Sequence, residues 1–241
     1  MPADPWILAL AFVITIAAGM MQGTIGFGLA VVSVPVLSLL DRDLAPVPQL
    51  LVAFPLAVAM VWREWRHVDL TGVGWVLAGR VPGALLGVIL LKGFSEASLD
   101  VLIALLVLAG VAIFGSGVVV RLSPVTKLAA GVASGVMGLV ASVGGPPLAL
   151  LYHDVPGGTL RSSLNAIFVI GVAFSIAVRA GSGEIVANDL KVAAFLLPAV
   201  FLGLWLSRYS TERIEGAALK RAVLVVSALA ATGLLLRSIL G

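Results

Sequence analysis

Long apolar stretches recur along this chain and decide what it can fold into. Residues 70–91, 99–120 and 217–236 are examples, and each is at least as long as the roughly 18–20 residues that a helix needs to cross the hydrocarbon core of a bilayer. Only 11% of the 241 residues are charged, whereas soluble domains average about 25%. The sequence therefore predicts an all-α polytopic membrane protein, which we expect in the cell inner (plasma) membrane.

Several kinds of chemistry are excluded by residues that the chain lacks. It has no cysteine and only two histidines, so neither a disulfide nor a thiolate metal site is expected. No HExxH metal motif and no GxxxxGK[ST] nucleotide-binding loop occurs. The 15 Lys and Arg residues lie mainly in short loops, where they set membrane topology. We therefore expect no metal, no cofactor, no nucleic-acid partner and no enzymatic activity.

The chain contains two related halves. A shift of 112 residues aligns 17–26 with 129–138 and superimposes three glycines, Gly19, Gly23 and Gly26 on Gly131, Gly135 and Gly138. The same shift places Pro35 on Pro147. With four more residues inserted, a shift of 116 places Pro82 on Pro198 and Gly87 on Gly203. Chance similarity between apolar segments would not preserve these positions. We therefore predict one transmembrane repeat over residues 1–120 and a second over 121–241.

Each half begins with an apolar segment that is longer than one crossing and is interrupted. These segments are 5–40, with Gly23, Gly26 and Gly28 in its middle, and 124–152, with Gly144-Gly145-Pro146-Pro147. Glycine weakens a helix, and proline removes a backbone donor and clashes with the preceding turn. We expect a broken or re-entrant helix in each half, followed by three ordinary spans. In the first half these spans are 46–62, 70–91 and 98–120, and in the second half they are 162–179, 190–206 and 217–237.

Loop charges favour a topology in which both first segments turn back. If every segment crossed once, the Lys and Arg residues of the loops would divide seven against seven. If the first segments return, one side holds nine basic residues, namely Arg63, Arg66, Arg121, Lys127, Arg161, Arg208, Arg213, Lys220 and Arg221. The other side then holds five, Arg42, Lys92, Arg179, Lys191 and Arg237. The positive-inside rule places the richer side in the cytoplasm, which makes the halves inverted repeats with both termini outside.

The two interruptions are the predicted binding site. Transporters built from inverted repeats bind substrate where broken helices meet, with helix N-termini and close-packed backbone donors directed at an anion. The candidate residues of the first half are Gln22, Gly23, Thr24, Gly26 and Gly28. Those of the second half are Ser134, Gly135, Gly138, Ser142, Gly144 and Gly145.

Two polar residues inside later spans complete the candidate set. Asn165 lies within the sixth span and either lines the path or makes a structural interhelix hydrogen bond. Arg80 lies near the middle of 70–91 and either attracts the anion or extends its side chain to the cytoplasmic surface. Packing is the alternative for the regularly spaced glycines, since small residues let membrane helices touch. That alternative applies to Gly19, Gly79, Gly83, Gly87 and Gly131.

Three segments carry a resemblance to a known family. GTIGFGLAVVSVPVLSLL (23–40), SGVMGLVASVGGPPLALLY (134–152) and LRSSLNAIF (160–168) resemble the sulfite exporter TauE/SafE family, and the resemblance extends over essentially the whole chain. It implies export or uptake of sulfite, sulfonates, thiosulfate or related small anions. The residues alone favour only a small anion.

We therefore expect a secondary transporter that moves a small anion, sulfite or an organosulfonate, through a central site between the two broken helices. Its partners would be that anion and membrane lipid, and a homo-oligomer is one arrangement that the chain allows. One alternative is a membrane assembly factor without transport activity, which would expose a long face of small residues. The other is an intramembrane hydrolase, suggested only by the short motif Gly181-Ser182-Gly183.

Overall fold

The computed structural model describes residues 4–116, 118, 120–152, 155–210 and 216–240. Within them the chain is helical. The α-helices are α1 (Pro5–Ile25), α2 (Leu29–Leu40), α3 (Val47–Glu64), α4 (Leu70–Gly93), α5 (Glu96–Gly115), α6 (Pro124–Ala141), α7 (Gly145–Leu151), α8 (Gly157–Gly181), α9 (Ala187–Ser210) and α10 (Gly216–Leu240). Two short 3₁₀ helices, Arg42–Leu44 and Trp65–His67, flank α3.

Six helical segments of the described chain are long and apolar enough to cross a membrane. They are Pro5–Ile25, Arg42–His67, Leu70–Gly93, Pro124–Ala141, Gly157–Gly181 and Ala187–Tyr209. Their outer faces carry large exposed apolar side chains, among them Trp6, Ile89 and Leu190, as expected of surfaces that face lipid. The prediction of an all-helical membrane protein is confirmed.

The backbone leaves helical geometry once near residue 27 and once near residue 143. Gly26 (φ 100°) ends α1, and Gly28 (φ 124°) precedes α2. These positive φ values are readily adopted only by glycine. Ser142 (φ 58°) ends α6, and α7 begins at Gly145. Gly23, by contrast, lies inside α1, because a single glycine costs a helix only about 1 kcal/mol and its small size here accommodates a neighbouring helix.

Small residues mark the closest helix crossings. Gly19 in α1 meets the backbone of Val200 in α9, where an added Cβ would lie 2.9 Å from the carbonyl oxygen. Gly203 in α9 in turn meets the backbone of α1. The pair formed by α4 and α6 is built in the same way, with backbone or side-chain contacts across the crossing at Gly79, Gly83, Gly87 and Gly131. These glycines are used for packing inside the chain.

Contacts between residues give the relative direction of two helix pairs. Phe12 packs on Phe195 with ring centroids 5.6 Å apart, and Gly23 lies against Ser207, so α1 and α9 run in the same direction. In α4 and α6, Gly79 meets Leu128 and Gly87 meets Leu139, so these two helices are also parallel to each other.

Polar contacts gather at the two ends of the bundle, which we name the Arg63 end and the Arg42 end. At the Arg63 end, Arg161 of α8 pairs with Glu64 at 2.9 Å, and Lys127 of α6 pairs with Asp69 at 3.9 Å. At the Arg42 end, the contacts include Arg42 with Asp100, Asn188 with Asp43 at 2.8 Å, and Arg237 with the Leu39 carbonyl oxygen at 3.1 Å. Arg213 and the side chains of Lys220 and Arg221 lie outside the described residues.

Candidate functional site

A small cavity lies where the two non-helical stretches approach each other. Its volume is about 30 Å³, enough for one or two water molecules. Helices α1, α2, α3, α4, α6, α7 and α8 contribute to its wall together with both stretches. The lining residues are Gln22, Phe27, Gly28, Leu29, Ala30, Val31, Ala53, Arg80, Gly138, Ser142, Val143, Gly144, Gly145, Phe168 and Val172.

Arg80 brings a positive charge into this cavity from α4. It is 4% exposed, so its side chain does not extend to a membrane surface. Nη1 donates to Ser134 Oγ at 2.9 Å, and the guanidinium carbon lies 5.7 Å from the centroid of the Phe168 ring. No ion pair joins Arg80 to a carboxylate of the described chain. A cation buried without a carboxylate is costly at membrane depth and usually marks a site or pathway.

Ser134 and a set of glycines hold the guanidinium in place. The Ser134 hydroxyl accepts from Arg80 and donates to the Gly144 carbonyl oxygen at 2.7 Å, which ties α4 to the stretch between α6 and α7. An added Cβ at Gly138 would lie 2.9 Å from Arg80 Nη2, and one at Gly144 would lie 3.3 Å from it. A Cβ at Gly171 would overlap Arg80 Nε. These glycines therefore make room for the arginine.

Two side-chain amides hold the stretch between α1 and α2. Gln22 Oε1 accepts from the Leu29 backbone N–H at 3.1 Å, and Gln22 Nε2 donates to Asn165 Oδ1 at 3.2 Å. Asn165 Nδ2 donates to the carbonyl oxygens of Gly26 at 2.9 Å and Arg161 at 2.7 Å. Asn165 therefore makes an interhelix hydrogen-bond network, one of the two roles predicted for it.

Some of the first positions of the helices at the cavity cannot donate to an anion. In α2, the Leu29 N–H is already bonded to Gln22. In α7, which has seven residues, Pro146 and Pro147 follow the first position, and proline has no N–H. Arg80 is the charged residue among those that line the cavity, and the partial positive charge of the α2 N-terminus adds to it.

One known family model matches almost the whole chain, including all the residues that line the cavity. The family model described as Sulfite exporter TauE/SafE matches residues 11–234. The chain belongs to that family. TauE/SafE is a family of membrane transporters and not of enzymes, and it implies transport of sulfite or similar anions. Searches of curated proteins and of solved structures found no match.

In this family member, the predicted site residues occupy three kinds of position. At the cavity wall are Gln22, Gly28, Arg80, Gly138, Ser142, Gly144 and Gly145. Immediately behind it, bonded to lining residues, are Ser134 and Asn165. The structure does not bring the others to the cavity. They are Gly23, Thr24, Gly26 and Gly135. Gly23 lies against Ser207, Gly26 against Arg161, and Gly135 against the α4 backbone. The Thr24 hydroxyl donates to the Met20 carbonyl oxygen.

Sequence reasoning missed three residues around the Arg80 guanidinium and the cavity. Phe27 lies between the two glycines of positive φ, and an added Cβ at Gly145 would lie 2.6 Å from Phe27 Cδ2. Phe168 and Gly171 lie on the α8 face that the guanidinium contacts. The sequence held a signal for each of them. Phe27 and Phe168 lie in the segments that resemble the family, and Gly171 is an isolated glycine within a predicted span.

Proposed function

We propose that this TauE/SafE member is a secondary transporter that moves sulfite or a small organosulfonate through the central cavity. That cavity lies between the two breaks, by which we mean the non-helical stretches 26–28 and 142–144. The observation that carries the proposal is the buried Arg80 guanidinium in that cavity, held by Ser134 and without a carboxylate partner in the described chain. A planar guanidinium donates two parallel hydrogen bonds to oxyanions. Because the cavity measures about 30 Å³, helices must separate before an anion can enter, as alternating access requires.

Inverted repeats are part of the proposal. In support, α1, α3 and α9 run from the Arg42 end to the Arg63 end, and α4, α6 and α8 run the opposite way. Helices α1, α3 and α4 are thus opposed by their counterparts α6, α8 and α9 at the shifts of 112 and 116 residues. The shorter helices α2 and α7 each return toward the end where the preceding helix began. We infer an even number of crossings, with the richly basic Arg63 end in the cytoplasm of an inner membrane.

Gln49 and Asn165 occupy equivalent positions in the two halves but differ in their hydrogen bonds, and this difference supports alternating access. A shift of 116 residues places Gln49 on Asn165. Asn165 holds the first break through Gly26 and Gln22. Gln49 is fully buried, yet its Oε1 has no hydrogen-bond partner within the described chain. A buried amide oxygen without a partner costs about 1–3 kcal/mol. We propose that Gln49 gains its partner when the opposite end of the path closes.

The assembly-factor alternative has less support. It calls for a long face of small residues without contacts in a single chain. Gly19, Gly79, Gly83 and Gly131 instead meet backbone atoms of neighbouring helices. The hydrolase alternative is set aside because the family is a transporter family.

The test is uptake by liposomes that contain the purified protein. Wild-type protein should accumulate sulfite and methanesulfonate but not acetate. Arg80→Gln should raise the KM for the anion roughly 10- to 100-fold, since hydrogen bonds to charged groups are worth about 1.5–3 kcal/mol, and Arg80→Lys should restore part of the loss. Arg66→Gln, an exposed residue at the Arg63 end, is the control. Unchanged uptake by Arg80→Gln would refute the central site.

A further inference from the structure

A second cavity lies at the Arg63 end, outside the central one. Its volume is about 200 Å³. Helices α1, α3, α8 and α9 meet there, and its lining residues are Gly23, Arg63, Glu64, Arg161, Ser207 and Arg208. We call it the vestibule. Among these residues there are three guanidinium groups and one carboxylate.

The carboxylate of Glu64 lies within the reach of two of those guanidinium groups. Arg161 Nε donates to both carboxylate oxygens at 3.1 Å, and Arg161 Nη2 donates to Oε1 at 2.9 Å. Arg63 Nη2 donates to Glu64 Oε1 at 3.3 Å and to the Gly23 carbonyl oxygen at 3.1 Å. Both arginines and Glu64 are partly exposed, with 37%, 22% and 15% of the side chains of Arg63, Arg161 and Glu64 accessible. Glu64 thus occupies the position that a planar or tetrahedral oxyanion would take on the same donors.

The charge balance distinguishes this end from the other. The cavity at the Arg42 end, about 510 Å³ in volume, contains Arg42 and Arg179 opposite Asp100 and Glu184. Basic and acidic groups are therefore equal in number there. In the vestibule, the two arginines that contact Glu64 already outnumber this carboxylate among the described lining residues, so its local potential favours anions.

The vestibule is also connected to the first break. The Arg161 carbonyl oxygen accepts from Asn165 Nδ2 at 2.7 Å, and the same nitrogen donates to Gly26. An added Cβ at Gly26 would lie 2.8 Å from Arg161 Cα. A shift of Arg161 is therefore transmitted to the backbone that separates the vestibule from the central cavity.

We propose that the vestibule is a second anion-binding site, where a small sulfur oxyanion replaces Glu64 on Arg161 and Arg63 before it reaches Arg80. The identity of the anion rests on the proposed function; the site itself rests on the vestibule geometry. Glu64 acts as an internal competitor that holds the arginines in position when no anion is bound. A lipid phosphate offers the same chemistry, and the experiment separates the two sources.

The experiment uses the natural absence of cysteine from this chain. Gly157→Cys places a single thiol at an exposed position, where its Cβ would lie 3.2 Å from Arg161 Nη1. Protein in phosphatidylcholine liposomes is labelled with methanethiosulfonate reagents of similar size, one carrying a sulfonate and the other a trimethylammonium group. The ratio of the two rates reports the local potential, and added methanesulfonate serves as the competing anion.

We expect millimolar methanesulfonate to slow the anionic reagent. Adding Glu64→Gln should raise the rate ratio about fivefold to tenfold, the size expected for loss of one nearby charge at a solvated surface, and should strengthen protection. Arg161→Gln should lower the ratio and abolish protection, and Arg121→Gln, an exposed arginine outside the vestibule, should change neither.

Equal protection in the wild-type and Arg161→Gln backgrounds would overturn the proposal, as would slowing by phosphatidylglycerol but not by methanesulfonate. Protection without uptake would refute only the central transport site, whereas uptake without protection would refute only the vestibule.

Discussion

Replacement of Gly171 by alanine tests whether the Arg80 position matters for transport. The added Cβ would lie 2.7 Å from Arg80 Cδ and closer still to Nε, whereas carbon atoms in contact are ordinarily about 3.5–4.0 Å apart. The arginine must therefore move by roughly 1 Å, as overpacked sites do at a cost of about 1–3 kcal/mol. Such a movement lengthens the 2.9 Å bond from Nη1 to Ser134 beyond hydrogen-bond range.

The magnitude follows from the hydrogen bonds that a displaced guanidinium no longer makes to the anion. A hydrogen bond to a charged group contributes about 1.5–3 kcal/mol, which corresponds to a rise of roughly 10- to 100-fold in the KM for sulfite. The assay is sulfite uptake by liposomes that contain the purified variant, with its elution on gel filtration compared with wild type to show that it folds. Gly74→Ala is the matched control, because an added Cβ at Gly74 has no atom within 4 Å. A Gly171→Ala variant whose KM stays within about twofold of the wild-type value would refute the assignment of Arg80 to the site, since the predicted loss is at least tenfold.

Two further predictions address the topology and the pairing of the halves. A C-terminal reporter should be active only on the outer side, because Arg237 near the end of α10 contacts Leu39 at the Arg42 end; activity in the cytoplasm would contradict the inverted arrangement. Gln22→Ala should weaken anion binding by roughly one to two orders of magnitude, and Ser134→Ala somewhat less. Their effects should be non-additive if both support one ion, and titration of the double variant with sulfite measures this. Losses that simply add would favour two independent structural roles.

Much of the architecture was predictable from the sequence, because the bilayer leaves few choices. Apolar segments of about twenty residues must become helices, since no water is present to satisfy their backbone groups. The breaks follow from local chemistry. Gly26 and Gly28 adopt positive φ, and the prolines at 146 and 147 start a new helix, where proline is tolerated. Gly23 shows the limit of this reasoning, because the same residue type in α1 serves to receive Ser207.

Only the tertiary structure decided which polar groups meet. The sequence left Arg80 with two outcomes, at the surface or at the site, because its position in α4 does not say which face is buried. The close contact of Gly79 and Gly83 with α6 turns that face inward and places the guanidinium on Ser134, 54 positions away in the chain. The pairing of Gln22 with Asn165 across 143 positions arises in the same way. Such contacts depend on how helices cross, and helix crossings are set by the side-chain packing of the whole bundle, whereas helix formation and helix breaks are set by neighbours in sequence.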